Sequence, residues 1–196
     1  MPRLALAFVS ILAATAACSK PRIELQPHDR MPAPGPQHDD PLVTTDTAPA
    51  SVVQGRDGQS VDLASMWAGQ RVLLVFYMGH WCPHCQKQLG ELNEHAAEFS
   101  ARGATIVAVS TDQPADANAL HERLSLGFEL YSDPDLAVIT RWGVQDSSTN
   151  VARPAVFVVE PGGAISYRHV GQSQTDRPSV SELLAALATP AAAPAP

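Results

Sequence analysis

Apolar positions change their period several times between residues 51 and 188, and each change marks an element. Residues 71–78 (RVLLVFYM) are unbroken, β-branched and aromatic, as suits a strand buried on both faces. Pro83 is well placed in the first turn of a helix, and Leu89, Leu92, Ala96 and Phe99 then recur at helical spacing. One helix is therefore predicted up to the Arg102-Gly103 stop. Residues 104–111 (ATIVAVST) predict a second buried strand and 115–126 a helix. The short run 128–133 (FELYSD) follows, and Pro134 opens a helical turn toward Trp142. Residues 155–171 hold a strand, a Pro161-Gly162-Gly163 turn and an alternating second strand, the pattern of a hairpin. A closing helix spans 178–187. Upstream, Asp57-Gly58 signals a turn, with a short helical piece near 63–67. These elements predict an α/β fold: a central mixed β-sheet flanked by helices on both faces.

The ends of the chain read differently. Behind Arg3, residues 4–17 (LALAFVSILAATAA) form an apolar run of signal-peptide length, shorter than the roughly 20 residues of a transmembrane helix. Thr15-Ala16-Ala17-Cys18 resembles a bacterial lipobox, with Thr in place of the usual Leu three residues before the cysteine. The expected arrangement is a signal peptide over 1–17 and a lipidated Cys18 as the mature N-terminus. That places the protein on the periplasmic side of a bacterial membrane, held through the lipid anchor. Cleavage after Ala14-Thr15-Ala16, with Cys18 an unmodified thiol, is the competing reading. Residues 18–50 are rich in Pro, Asp, Thr and Gln without any period and read as a disordered tether. Residues 189–196 read as a disordered Ala/Pro tail, which leaves 51–188 for a single domain. The 196 residues carry 13 basic and 20 acidic side chains, a formal charge of −7, with no basic cluster. A phosphate backbone is bound by clustered Lys and Arg, so no nucleic-acid partner is expected.

The chemistry concentrates in residues 79–85 (GHWCPHC). Cys82 follows a buried strand and a short turn, and Pro83-His84-Cys85 begins the next helix. The unpaired N–H groups and the dipole at a helix start favour a thiolate on Cys82. Cys85, three residues on, can resolve a mixed disulfide by attack, and a protonated His84 adds charge that stabilises the thiolate. Zinc would need four ligands, and no second Cys-x-x-Cys is present. A copper-chaperone site is disfavoured because that family spaces its cysteines Cys-x-x-x-Cys. Structural disulfides usually close longer loops. A redox-active pair is the reading these residues support, and it requires no cofactor. Trp67 and Trp81 are expected to pack around the same turn. His95, His121 and His169 are expected at exposed or boundary positions.

Four segments, VLLVFYMGHWCPHCQKQLGEL, IVAVSTD, LYSDPDLAVITRWGV and RPAVFVVEPGGAISYRHVG, occur in this order. Together they resemble the alkyl hydroperoxide reductase/thiol-specific antioxidant family, the peroxiredoxin-like branch of the thioredoxin superfamily. The resemblance runs from about residue 51 to 187. It implies a thioredoxin fold, thiol-based redox catalysis and a cis Pro154 facing the Cys-x-x-Cys. Arg153 then stands as a cationic partner for a thiolate or peroxide. The peroxiredoxin loop is Pro-x-x-x-Thr-x-x-Cys; if Cys85 were its cysteine, Cys82 would occupy the Thr position and Tyr77 or Met78 that of Pro. The Pro-His dipeptide matches that of a strongly oxidising periplasmic disulfide-forming enzyme and speaks to redox poise. The expected function is an exported thiol-disulfide oxidoreductase with Cys82 attacking and Cys85 resolving, acting on a disulfide or peroxide. Electrons are exchanged with another dithiol protein. The alternatives are a membrane-tethered disulfide reductase of the cytochrome c maturation type, and a lipid-anchored interaction domain with a structural disulfide.

Overall fold

The computed structural model describes residues 47–188; the expected signal peptide, Cys18, the tether up to residue 46 and the 189–196 tail lie outside them. β1 (Val52–Gln54) and β2 (Ser60–Asp62) form a hairpin around Gly58, whose φ of 78° suits a residue without a Cβ. A single 3-10 turn, Leu63–Ser65, replaces the longer helical piece expected there; the Asp62 carboxylate caps it by accepting the Ala64 N–H at 2.9 Å. The central run is β3 (Arg71–Phe76), α1 (Pro83–Glu94), α2 (Ala96–Ala101), β4 (Ala104–Ser110), α3 (Pro114–Leu124), β5 (Leu130–Ser132) and α4 (Ala137–Arg141). β6 (Gln145–Asp146), β7 (Val151–Ala152), β8 (Ala155–Val159), β9 (Ile165–Val170) and α5 (Val180–Ala186) complete it.

The single helix predicted from Pro83 to Arg102 is two, because the backbone leaves the helix at His95 (φ −105°, ψ 12°), where Nδ1 donates to the Glu91 carbonyl at 2.9 Å. Leu89, Leu92 and Phe99 are nonetheless all buried, so the apolar spacing was a sound guide to the face and a poor guide to continuity. The β6–β7 ribbon was not expected, since two-residue strands carry no period. Asp146 shapes its turn by accepting from the N–H and hydroxyl of Ser148 at 2.9 and 2.6 Å.

Seven strands make one mixed sheet in the order β2-β1-β5-β4-β3-β8-β9. β3 pairs parallel with β4 and antiparallel with β8, so Val72 faces Thr105 on one side and Val159 on the other. All six residues of β3 are buried, as an uninterrupted apolar run requires. Alternation along the strand feeds two cores. Leu73, Val75 and Tyr77 belong to the core that includes Leu89, Leu92, Phe99, Leu120 and Leu183 from α1, α2, α3 and α5. Val72, Leu74 and Phe76 belong to the other, with Val138 and Ile139 of α4 and the rings of Trp142 and Phe157. Each such side chain contributes roughly 1.5–3 kcal/mol by leaving water. The packing that results holds the C-terminal end of β3 as a rigid platform beneath residues 79–85.

Candidate functional site

β3 ends at Phe76, and a five-residue turn delivers Cys82 to the N-cap of α1 (φ −80°, ψ 114°), with Pro83 in the first turn as expected. The turn closes through the Cys82 N–H on the Gly79 carbonyl at 3.1 Å. Gly79 fits because a Cβ there would stand 2.6 Å from Trp81 Nε1. Cys82 Sγ accepts the Cys85 N–H at 3.4 Å, which is the side-chain capping interaction of α1. Both cysteines are free and fully buried.

The two thiols are strongly differentiated. Cys82 is drawn down from 9.0 to about 6, first by the hydrogen bond from the Cys85 thiol. Burial opposes this, and the Cys85 N–H, the Arg177 charge and the His84 N–H reinforce it. Burial pushes the Cys85 thiol far up, and its bond to Cys82 adds to that, with Arg177 acting in the opposite sense. Near neutral pH the pair is therefore a Cys82 thiolate held by a Cys85 thiol. A folded-state value below the unfolded one stabilises the reduced fold above the ordinary thiol value, and that stability is lost as pH falls through about 6. The thiolate ultraviolet absorbance of the reduced protein should show one transition centred near pH 6, equal to one sulfur. Cys85→Ala should move it upward, since the largest stabilising bond is gone; a midpoint unchanged in that variant would contradict this electrostatic account.

The cation at the sulfurs is Arg177, from the loop between β9 and α5. Its Nη2 donates to Cys85 Sγ at 3.2 Å, its Nη1 to Gln88 Oε1, and its Nε to the Gln174 carbonyl at 2.9 Å. Arg153, the expected cationic partner, donates through Nε and Nη2 to the Gly171 carbonyl at 3.2 and 3.0 Å. The cis Pro154 implied by the family resemblance is also corrected, because the described residues contain no cis peptide. Pro154 lies between β7 and β8, where its missing N–H leaves no ladder bond unmade, and its carbonyl accepts the Gly171 N–H at 2.7 Å. A Cβ on Gly171 would stand 2.2 Å from the Asp176 carbonyl oxygen. Asp176 accepts the Gln172 N–H at 2.8 Å and pairs with His169 at 3.1 Å. Arg153, Pro154 and Gly171 thus anchor the loop that presents Arg177 to the thiols. No local signal marks Arg177 in the sequence, as it lies 92 residues beyond the cysteine it touches.

His84 is half-buried and lends Cys82 its backbone N–H. Trp81 packs against the core shared with Cys82 and Cys85. Trp67 does not join it: Trp67 lies in the opposite core, edge-on to Trp142 at 6.2 Å. His95, His121 and His169 occupy boundary positions, as expected.

Residues 44–168 match the model of the AhpC/TSA family, a span that ends before Arg177. A putative peroxiredoxin of Mycobacterium tuberculosis is 32% identical over 130 residues, covering 63% of this chain and 82% of the relative. Peroxiredoxin Bcp of Escherichia coli is 35% identical over 104 residues, covering 53% and 66% respectively. Among solved structures, AhpC of M. tuberculosis superposes with a TM-score of 0.66 at 21% identity, over 76% of this chain and 93% of that one. Peroxidoxin BcpB of the same organism superposes at 0.63 and 21% identity, over 72% and 92%. These superpositions bear out the thioredoxin fold.

Proposed function

The chain belongs to the AhpC/TSA family and is a peroxiredoxin-like, thiol-dependent oxidoreductase, and from that premise we propose that it reduces peroxides through Cys82 and Cys85. The observation that carries the proposal is the division of labour at the start of α1, a lowered Cys82 thiolate capped by the Cys85 N–H and thiol. The Cys82 thiolate attacks one oxygen of the peroxide, the S–O bond forms as the O–O bond breaks, and the second oxygen takes the electron pair and a proton and leaves as an alcohol or water, with Cys82 left as a sulfenic acid. The Cys85 thiol then attacks the sulfenic sulfur, forming the disulfide and releasing water. A dithiol protein or small dithiol returns the electrons by exchange. Because the reduced form holds a stabilised thiolate, the Cys82–Cys85 disulfide is a good oxidant and is readily reduced. A second reading exchanges the roles of the sulfurs. Its support is that Arg177 donates to Cys85 rather than Cys82.

The apolar run before Cys18 supports the same enzyme working outside the cytoplasm, tethered to a membrane by a lipid on Cys18. Intact mass of the protein from the membrane fraction tests both parts together. The expected chain begins at an acylated Cys18, and one equivalent of hydrogen peroxide removes two hydrogens without leaving an added oxygen. An unmodified Cys18 rejects the anchor, and thiols that survive peroxide reject the activity.

A further inference from the structure

One polar side chain in the turn that leads into Cys82 takes no part in the proposed peroxide reduction. His80, two residues before Cys82, is held from three elements. Its Nδ1 lies 2.8 Å from Asp112 Oδ1 at the end of β4. Its carbonyl accepts Gln86 Nε2 of α1 at 2.8 Å and Arg123 Nη2 of α3 at 3.4 Å. The Asp112 carboxylate is only 4% exposed, and its second oxygen accepts the Ser110 hydroxyl at 2.8 Å. The imidazole itself is 38% exposed, so Nε2 is the nitrogen left to face the solvent. Asp112 and Cys85 both act electrostatically on the buried Tyr77 phenol, so the carboxylate and the Cys85 sulfur share one neighbour. A buried carboxylate that fixes one ring nitrogen and leaves the other open is the arrangement that orients an imidazole for proton transfer.

We infer that His80 is a general acid of this site, with Asp112 as its positioning residue, and that it protonates the group expelled when a sulfur is oxidised. The inference rests on the peroxide reaction proposed above. When the Cys82 thiolate takes one oxygen from an alkyl hydroperoxide, the O–O electron pair leaves on the second oxygen. The proton on His80 Nε2 passes to that oxygen, an alcohol departs, and the neutral imidazole recovers its proton from solvent. With hydrogen peroxide the departing species is water. Disulfide exchange with an aryl disulfide needs no such help, because an aromatic thiolate has a low pKa and leaves unprotonated.

This difference supplies the test. His80→Asn provides an amide N–H to take over the bond to Asp112 but has no proton to transfer. It is expected to slow consumption of an alkyl hydroperoxide by roughly a hundredfold, while the rate with an aryl disulfide stays within about twofold. The peroxide rate of His80→Ala should recover on adding free imidazole, a response that a purely structural role would not give. Equal slowing on both substrates, or a wild-type peroxide rate in His80→Asn, overturns the inference alone. Wild-type protein inert to the hydroperoxide overturns the proposed function and this inference with it.

Discussion

Cys82→Ser is expected to abolish turnover of both peroxide and a model disulfide, a loss on the order of 10⁴-fold or more. A hydroxyl is not ionised near neutral pH, whereas the Cys82 thiol is drawn down to about 6, so the variant has no nucleophile there. The fold should persist. Serine is among the preferred N-cap residues, and its oxygen can accept the Cys85 N–H that Cys82 Sγ now accepts at 3.4 Å. A circular dichroism melt close to wild type would show that the loss is chemical. Labelling with a sulfenic-acid trap separates the two assignments of the sulfurs. After peroxide, Cys85→Ser should carry the label on Cys82, and Cys82→Ser should carry none. One equivalent of label on Cys85 in Cys82→Ser would transfer the attacking role to Cys85.

Arg177→Gln should lower peroxide turnover by roughly a hundredfold or more, with a much smaller effect, below about tenfold, on exchange with a model disulfide. Breaking an O–O bond builds negative charge on oxygen beside the sulfurs, and Arg177 is the guanidinium in contact with them, 3.2 Å from Cys85 Sγ. Glutamine keeps a donor that can reach Gln88 and loses the charge, so the loop should stay in place while the electrostatic contribution disappears. The loop has its own supports in Arg153, Pro154 and Asp176, none of which depends on Arg177. Arg153→Ala, by contrast, removes the two bonds to the Gly171 carbonyl and should act indirectly, by loosening the loop. An Arg177→Gln enzyme with full peroxide turnover would show that the charge at this position is dispensable.

Much of the fold was legible because its information is local. Residues 71–78 have nothing but apolar and β-branched character in their middle, and a strand with both faces covered is what such a run requires. Pro83 after Cys82 marked a helix start, and Cys82 is indeed the N-cap of α1. The Pro161-Gly162-Gly163 turn announced the β8–β9 hairpin, and both glycines take positive φ. The same periodicity could not show the break at His95. Helical spacing reports which face is buried and is silent about one residue with φ −105° between two short helices.

The candidate site divides along the same line. The sequence alone determined that two cysteines share one helical turn at the end of a buried strand, because helix starts, strand ends and Cys spacing are properties of neighbouring residues. Only the tertiary structure decided which charge meets them. Arg153 precedes a buried strand and looked placed for the task, and in the structure two of its donors hold the Gly171 carbonyl. Arg177 reaches Cys85 because β9 and the loop after it return the chain to the sheet edge beside α1, a result of strand order. Asp112 meets His80 because β3 and β4 are parallel neighbours whose C-terminal ends lie side by side. A hydrogen bond or ion pair between residues 32 or 92 positions apart is fixed by the packing of the sheet, and no local pattern encodes it.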